Sequence, residues 1–78
     1  MKVYVLCQQQ ISERGDWVYE AVFGSKDAAL RYGRAFLRVD EETWAPYTYG
    51  GWVSPWMKIE EFNNFQYRWV IFEEDLTE

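Results

Sequence analysis

The chain has 78 residues, a net charge of −5, one cysteine and no histidine. That leaves room for one hydrophobic core, read as a single domain over residues 1–78, and excludes an internal disulfide and a Cys/His zinc site. The acidity opposes attraction to nucleic acid or to an anionic membrane and favours a partner with a basic surface.

Residues 2–9 alternate Val3, Val5 and Cys7 against Tyr4, Leu6 and Gln8, the period of a strand rich in β-branched and aromatic types. The apolar run Val3 to Cys7 falls far short of the roughly 18 residues that cross a bilayer, so a cytoplasmic location with a reduced thiol is expected. Glu13-Arg14-Gly15-Asp16 is a turn signal. Residues 17–23 resume alternation, with Trp17, Tyr19, Ala21 and Phe23 on one side and Val18, Glu20 and Val22 on the other. The two segments predict a hairpin.

Gly24-Ser25 leads into good helix formers, with Ser25 placed to cap and Asp27 near the positive end of the dipole. The predicted helix covers residues 26–39. Its buried stripe is Ala29, Tyr32, Gly33, Phe36 and Val39, with Leu30 and Leu37 at the margins. Arg31, Arg34 and Arg38 line the opposite side together with Asp27. A glycine inside this stripe predicts close approach to the sheet, because it otherwise weakens the helix by about 0.8–1 kcal/mol.

Asp40-Glu41-Glu42 follows at the unfavourable negative end of the dipole. Residues 43–56, TWAPYTYGGWVSPW, carry two prolines, a Gly-Gly pair and a high density of rings. They fit an edge hairpin turning at Gly50-Gly51 or an ordered loop closed over its own aromatics. Residues 57–62 and 65–74 predict a second hairpin around Asn63-Asn64, and residues 75–78 a solvated tail. The expected fold class is α+β: β-β-α, an aromatic insert, then β-β, forming a mostly antiparallel sheet with one helix on one face.

Val22-Phe23-Gly24-Ser25-Lys26-Asp27-Ala28-Ala29 resembles the helix entry of many small uncharacterised phage and bacterial proteins with a strand-strand-helix start. The resemblance spans residues 2–38. It implies a fold pattern and a phage setting, and it carries no active site.

No constellation supports catalysis or a cofactor. Cys7 lacks a base and reads as a buried structural thiol. Consecutive carboxylates, as in Glu60-Glu61 and Glu73-Glu74-Asp75, point to opposite strand faces and form no dyad. Glu73 and Asp75, two apart, stand about 6.8 Å from one another along a strand, a spacing that also suits imitation of a nucleic-acid backbone.

Rings make up 21% of the chain, more than the roughly ten to fifteen inward positions of a sheet and one helix accommodate. Some must lie on the surface. The expectation is a non-catalytic binding protein, in the phage setting an inhibitor of a host defence or nucleic-acid-handling complex. Its partner-binding residues are Asp40, Glu41, Glu42, Trp44, Tyr47, Tyr49, Trp52 and Trp56. The alternatives are a nucleotide-sequestering protein using Arg31, Arg34 and Arg38 as an anion clamp, and a homo-oligomeric module closed by the aromatics. For the insert, a lid over the sheet and an interface both remain open, and different rings can serve each.

Overall fold

The structure, a computed structural model, describes residues 1–11, 17–58 and 66–76. The strands are β1 (Lys2–Ile11), β2 (Trp17–Phe23), β3 (Ala45–Pro46), β4 (Gly51–Val53), β5 (Met57–Lys58) and β6 (Gln66–Asp75), with helix α1 over Lys26–Tyr32. They form one antiparallel sheet of order β2-β1-β6-β4-β3, with β5 also on β6. The protein is α+β. The aromatic segment is part of the sheet rather than an addition to it, since it supplies β3 and β4 and raises the expected four strands to six. The turn signals at 13–16 and 63–64 lie outside the described residues.

β6 is the hub. It pairs with β1 along its whole length, from Lys2↔Asp75 to Ile11↔Gln66, and its other edge carries β4 and β5. Asp75, expected in the tail, is therefore a paired strand residue, and the Lys2–Glu73 ion pair closes the same end.

Alternation gives the sheet two faces. Leu6 and Ile71 stand opposite each other and are buried with Ala29, Leu30, Val39 and Trp69, while Tyr4, Phe23, Leu37, Trp44 and Trp52 pack around them. The helix therefore covers the Tyr4–Leu6 row of β1. Val3, Val5 and Cys7 lie on the other face and are only half-buried, contrary to the expected core thiol. Both rows are apolar, and a period of two does not say which one a helix covers.

In β2 the expected alternation breaks. The register shifts between Leu6 and Cys7, so that Leu6 faces Ala21 while Cys7 faces Tyr19, and Glu20 is bulged out. A bulge reverses the facing of what precedes it. Phe23 and Ala21 point to the helix, whereas Trp17 and Tyr19 stand on the opposite face. Glu20 accepts a 2.8 Å hydrogen bond from the Tyr32 hydroxyl.

Ser25 caps α1, its Oγ accepting from the Ala28 N–H at 3.1 Å. The predicted helix continues past Tyr32, but as a π-helical turn over Gly33–Leu37. The wider i→i+5 turn brings Leu37 round to the core and leaves Phe36, expected inside, 73% exposed. Arg38 ends the turn in the left-handed region, φ 57° and ψ 38°, and the Val39 N–H returns to the Gly33 carbonyl at 3.0 Å. Gly33 does make a close approach, to Trp44 rather than to the sheet: a Cβ there would lie 3.2 Å from Trp44 Cζ2.

The β3–β4 hairpin turns through Tyr47–Gly50, where the Gly50 N–H donates to the Tyr47 carbonyl. Gly51, at φ 114°, lies so close to β6 that a Cβ would stand 1.9 Å from the Ile71 carbonyl oxygen. Pro46 sits on the edge strand β3, where a missing N–H is tolerated. Beyond β4, Ser54 holds the chain to β6: its N–H donates to the Trp69 carbonyl and its Oγ accepts from the Trp69 N–H, both at 2.8 Å.

Candidate partner-binding face

The helix-free face carries the second row of each strand. From β6 come Arg68, Val70 and Phe72, which stand beside Gln9, Cys7 and Val5 of β1. β2 contributes Trp17, Tyr19 and Val22, all exposed. Phe72 touches Trp17, with ring centres 5.5 Å apart, and Tyr47 at 5.7 Å; Tyr47 in turn meets Tyr49 at 5.5 Å. Val70 is fully buried yet lies outside the cluster under the helix, paired with Cys7 of β1 on one side and Val53 of β4 on the other. Rings that bury a neighbour while leaving their own outer surfaces in water are poised to extend that burial on contact with a second body.

A charged side chain, Arg68, stands among these rings. Arg68 donates from Nε to Gln9 Oε1 at 2.6 Å. Its guanidinium carbon lies 4.4 Å from the centre of the Trp56 ring and 5.5 Å from that of Tyr47. These are cation–π distances.

The aromatic segment is thus divided. Trp52, opposite Ile71, packs on the helix side beside Tyr4, with Lys26 Nζ 4.2 Å from its ring centre. Trp44 lies against Gly33, its indole Nε1 buried and without a hydrogen-bond partner among the described residues. Tyr47, Tyr49 and Trp56 reach the helix-free face. In a continuous strand Trp52 and Trp56 would share a face. The interruption at Ser54-Pro55 sends them to opposite ones.

Asp40, Glu41 and Glu42 stand apart from these rings. They are exposed on the helix layer, around a depression of about 310 Å³ shared with Arg34. Thr43 N–H and Oγ both bond the Asp40 carbonyl, at 3.0 and 2.7 Å, which fixes the turn Glu41–Thr43. The arginines do not converge on one ligand position. Arg31 donates to the Asp27 backbone carbonyl at 3.4 Å, not to its carboxylate, and lines an apolar depression of about 370 Å³ with Phe23, Tyr32 and Phe36. Arg34 lines the acidic depression, and Arg38 ends the π-helical turn.

Burial pushes the Cys7 thiol pKa up, away from a nucleophilic thiolate. Among the described residues, no group of three or more Cys, Asp or Glu side chains is placed to hold a metal ion, and no helix is long and apolar enough to cross a membrane.

Trp17, Arg68 and Phe72 are the members of this face that strand patterns alone do not single out. A signal existed in β6, where Val70 and Phe72 alternate with the buried Trp69 and Ile71, so that both rows of a central strand carry large apolar residues. The structure defines the class: a small α+β protein with a helical layer on one sheet face and, among the described residues, an aromatic face without one. Compared with protein-family models, curated proteins and solved structures, the chain matches none.

Proposed function

We propose that this chain is a non-catalytic binding protein whose partner docks on the helix-free face. The observation that carries the reading is the continuity of rings from three separate segments: Trp17 from β2, Tyr47 and Tyr49 from the aromatic segment, and Phe72 from β6, with Trp56 joined to Tyr47 through the Arg68 guanidinium between them. Tyr and Trp give large contact area at low conformational cost and are enriched among the residues that dominate binding energy. The net charge of −5 acts at longer range and steers a basic partner towards the protein. In the phage setting that the N-terminal resemblance implies, the partner is a host protein complex and binding occludes its working surface.

The test is affinity capture followed by binding kinetics with the recovered protein. Tyr49→Ala and Trp56→Ala weaken the complex by about 2 kcal/mol or more through faster dissociation. Glu41→Lys combined with Glu42→Lys slows association and flattens its salt dependence. Phe36→Ala, on the helix layer, leaves both rates unchanged. Folded Tyr49 and Trp56 variants that bind as the parent does would sink the proposal.

A further inference from the structure

Arg68 occupies an unusual place for a cation in an acidic chain. It stands on the central strand of the sheet, on the face without a helix, between Gln9, Trp56 and Tyr47. A guanidinium has five N–H donors in a planar fork. Gln9 takes the Nε–H, the two rings supply contacts at cation–π distance, and the Nη groups have no partner among the described residues. Among the described residues no carboxylate forms an ion pair with it. The single ion pair among the described residues joins Lys2 and Glu73, and Glu74, the acid of the same strand row, lies six residues along, roughly 20 Å at strand rise.

A body that covers this face takes the guanidinium out of water, and a buried charge without a counter-charge is costly. The Gln9 bond and the flanking rings restrict the fork before any partner arrives, which lowers the ordering cost of a two-point contact. We infer that Arg68, held by Gln9, Trp56 and Tyr47, is a carboxylate-recognition site, and that the segment docking on this face is a protein segment bearing one acidic side chain between apolar neighbours. The inference rests on the docking role of the face. One guanidinium in a chain of net charge −5 suits a planar monoanion, which it meets with two parallel N–H···O bonds, better than the repeated phosphates of a nucleic acid. The apolar flanks of the segment would lie towards Val5 and Phe72. A partner that is basic overall and presents a single carboxylate here satisfies both the long-range field and the local site.

The experiment titrates the full chain with 3-phenylpropionate, its neutral amide, phenyl phosphate and an oligothymidylate, following the Arg68 Nε–H and the Trp56 and Trp17 indole N–H resonances by NMR. The expected result is binding of the carboxylate at least fivefold tighter than the amide, shifting Arg68 and Trp56 together. Arg68→Gln makes carboxylate and amide equal, and Arg68→Lys, which keeps the charge without the fork, recovers less than half of the preference. Equal binding of carboxylate and amide to the parent overturns the inference while leaving the aromatic docking face intact. Tighter binding of phenyl phosphate or the oligothymidylate overturns it in favour of a phosphate ligand. Absence of any shift also overturns it, and the Tyr49 and Trp56 kinetics then judge the docking face separately.

Discussion

The two faces of the sheet are built from the same strands and differ in what covers them. Leu6, Trp69 and Ile71 lie in the cluster under the helix; one residue away, Val5, Val70 and Phe72 share the other face, where Trp17 and Tyr47 pack on Phe72. Both rows are apolar, but only the first is sealed. A helix closes its face with a single rigid layer, whereas separate rings cover their floor and still present edges to water, as Tyr49 does at 81% exposure. On the proposed reading, the difference separates a face made for stability from one made for contact.

The sharpest way to break this comparison is to truncate neighbours on β6. Ile71→Ala, at a fully buried site, costs about 2–5 kcal/mol. Phe72→Ala, half-buried, costs on the order of 1 kcal/mol, since only part of its transfer energy is realised. Urea unfolding measures both, and equal losses would mean that the helix-free face is a second core.

Ser54→Ala comes next, at about 1–3 kcal/mol, because it leaves the buried Trp69 N–H without its acceptor. Ser54 sits at the break that sends Trp52 and Trp56 to different faces. The variant is expected to alter amide exchange at Trp69 first, and unchanged exchange there would contradict that role.

Arg38→Gly sharpens the helix side in the opposite direction. Relief of the left-handed conformation at φ 57° raises stability by about 1 kcal/mol, read as a higher denaturation midpoint. A lower midpoint would show that the arginine side chain contributes more than its backbone costs.

The smallest effect is a pH dependence. The Glu20 hydrogen bond raises the Tyr32 hydroxyl pKa. A raised folded-state pKa contributes stability that is fully present below the ordinary tyrosine value of about 10 and is lost as pH climbs through the higher folded value. The stability difference between the parent and Tyr32→Phe is therefore constant from neutral pH to about 10 and shrinks above it. A difference unchanged across that range would mean that the bond plays no part in holding α1 to β2.

The strands β1, β2 and β6 and the Ser25 cap were legible because each rests on a local rule: a period of two, or a hydroxyl one position before a helix. The π-helical turn was not, since Phe36 and Leu37 are equally apolar and only packing selects Leu37. Of the candidate face, Tyr47, Tyr49 and Trp56 stood out as a dense run, while Trp17, Arg68 and Phe72 did not. Their meeting depends on two interruptions of alternation, the bulge at Glu20 and the break at Ser54-Pro55. Each delivers aromatic side chains to the face opposite the one a regular strand would give them. No pattern within a single strand predicts a contact made through such irregularities.

The bulge at Glu20 also bears on the outer edge of the sheet. β2 is an edge strand of seven residues, WVYEAVF, without proline or lysine, the kind of edge along which a second chain can zip. Glu20 divides its pairing into two three-residue runs, Trp17–Tyr19 and Ala21–Phe23, and its carboxylate, tied to Tyr32, puts a charge at the division. Each run is shorter than the six- or seven-residue segments that nucleate cross-β stacking. The irregularity that turns Trp17 outward thus also belongs to the devices that make an exposed edge a poorer template for fibrous self-association.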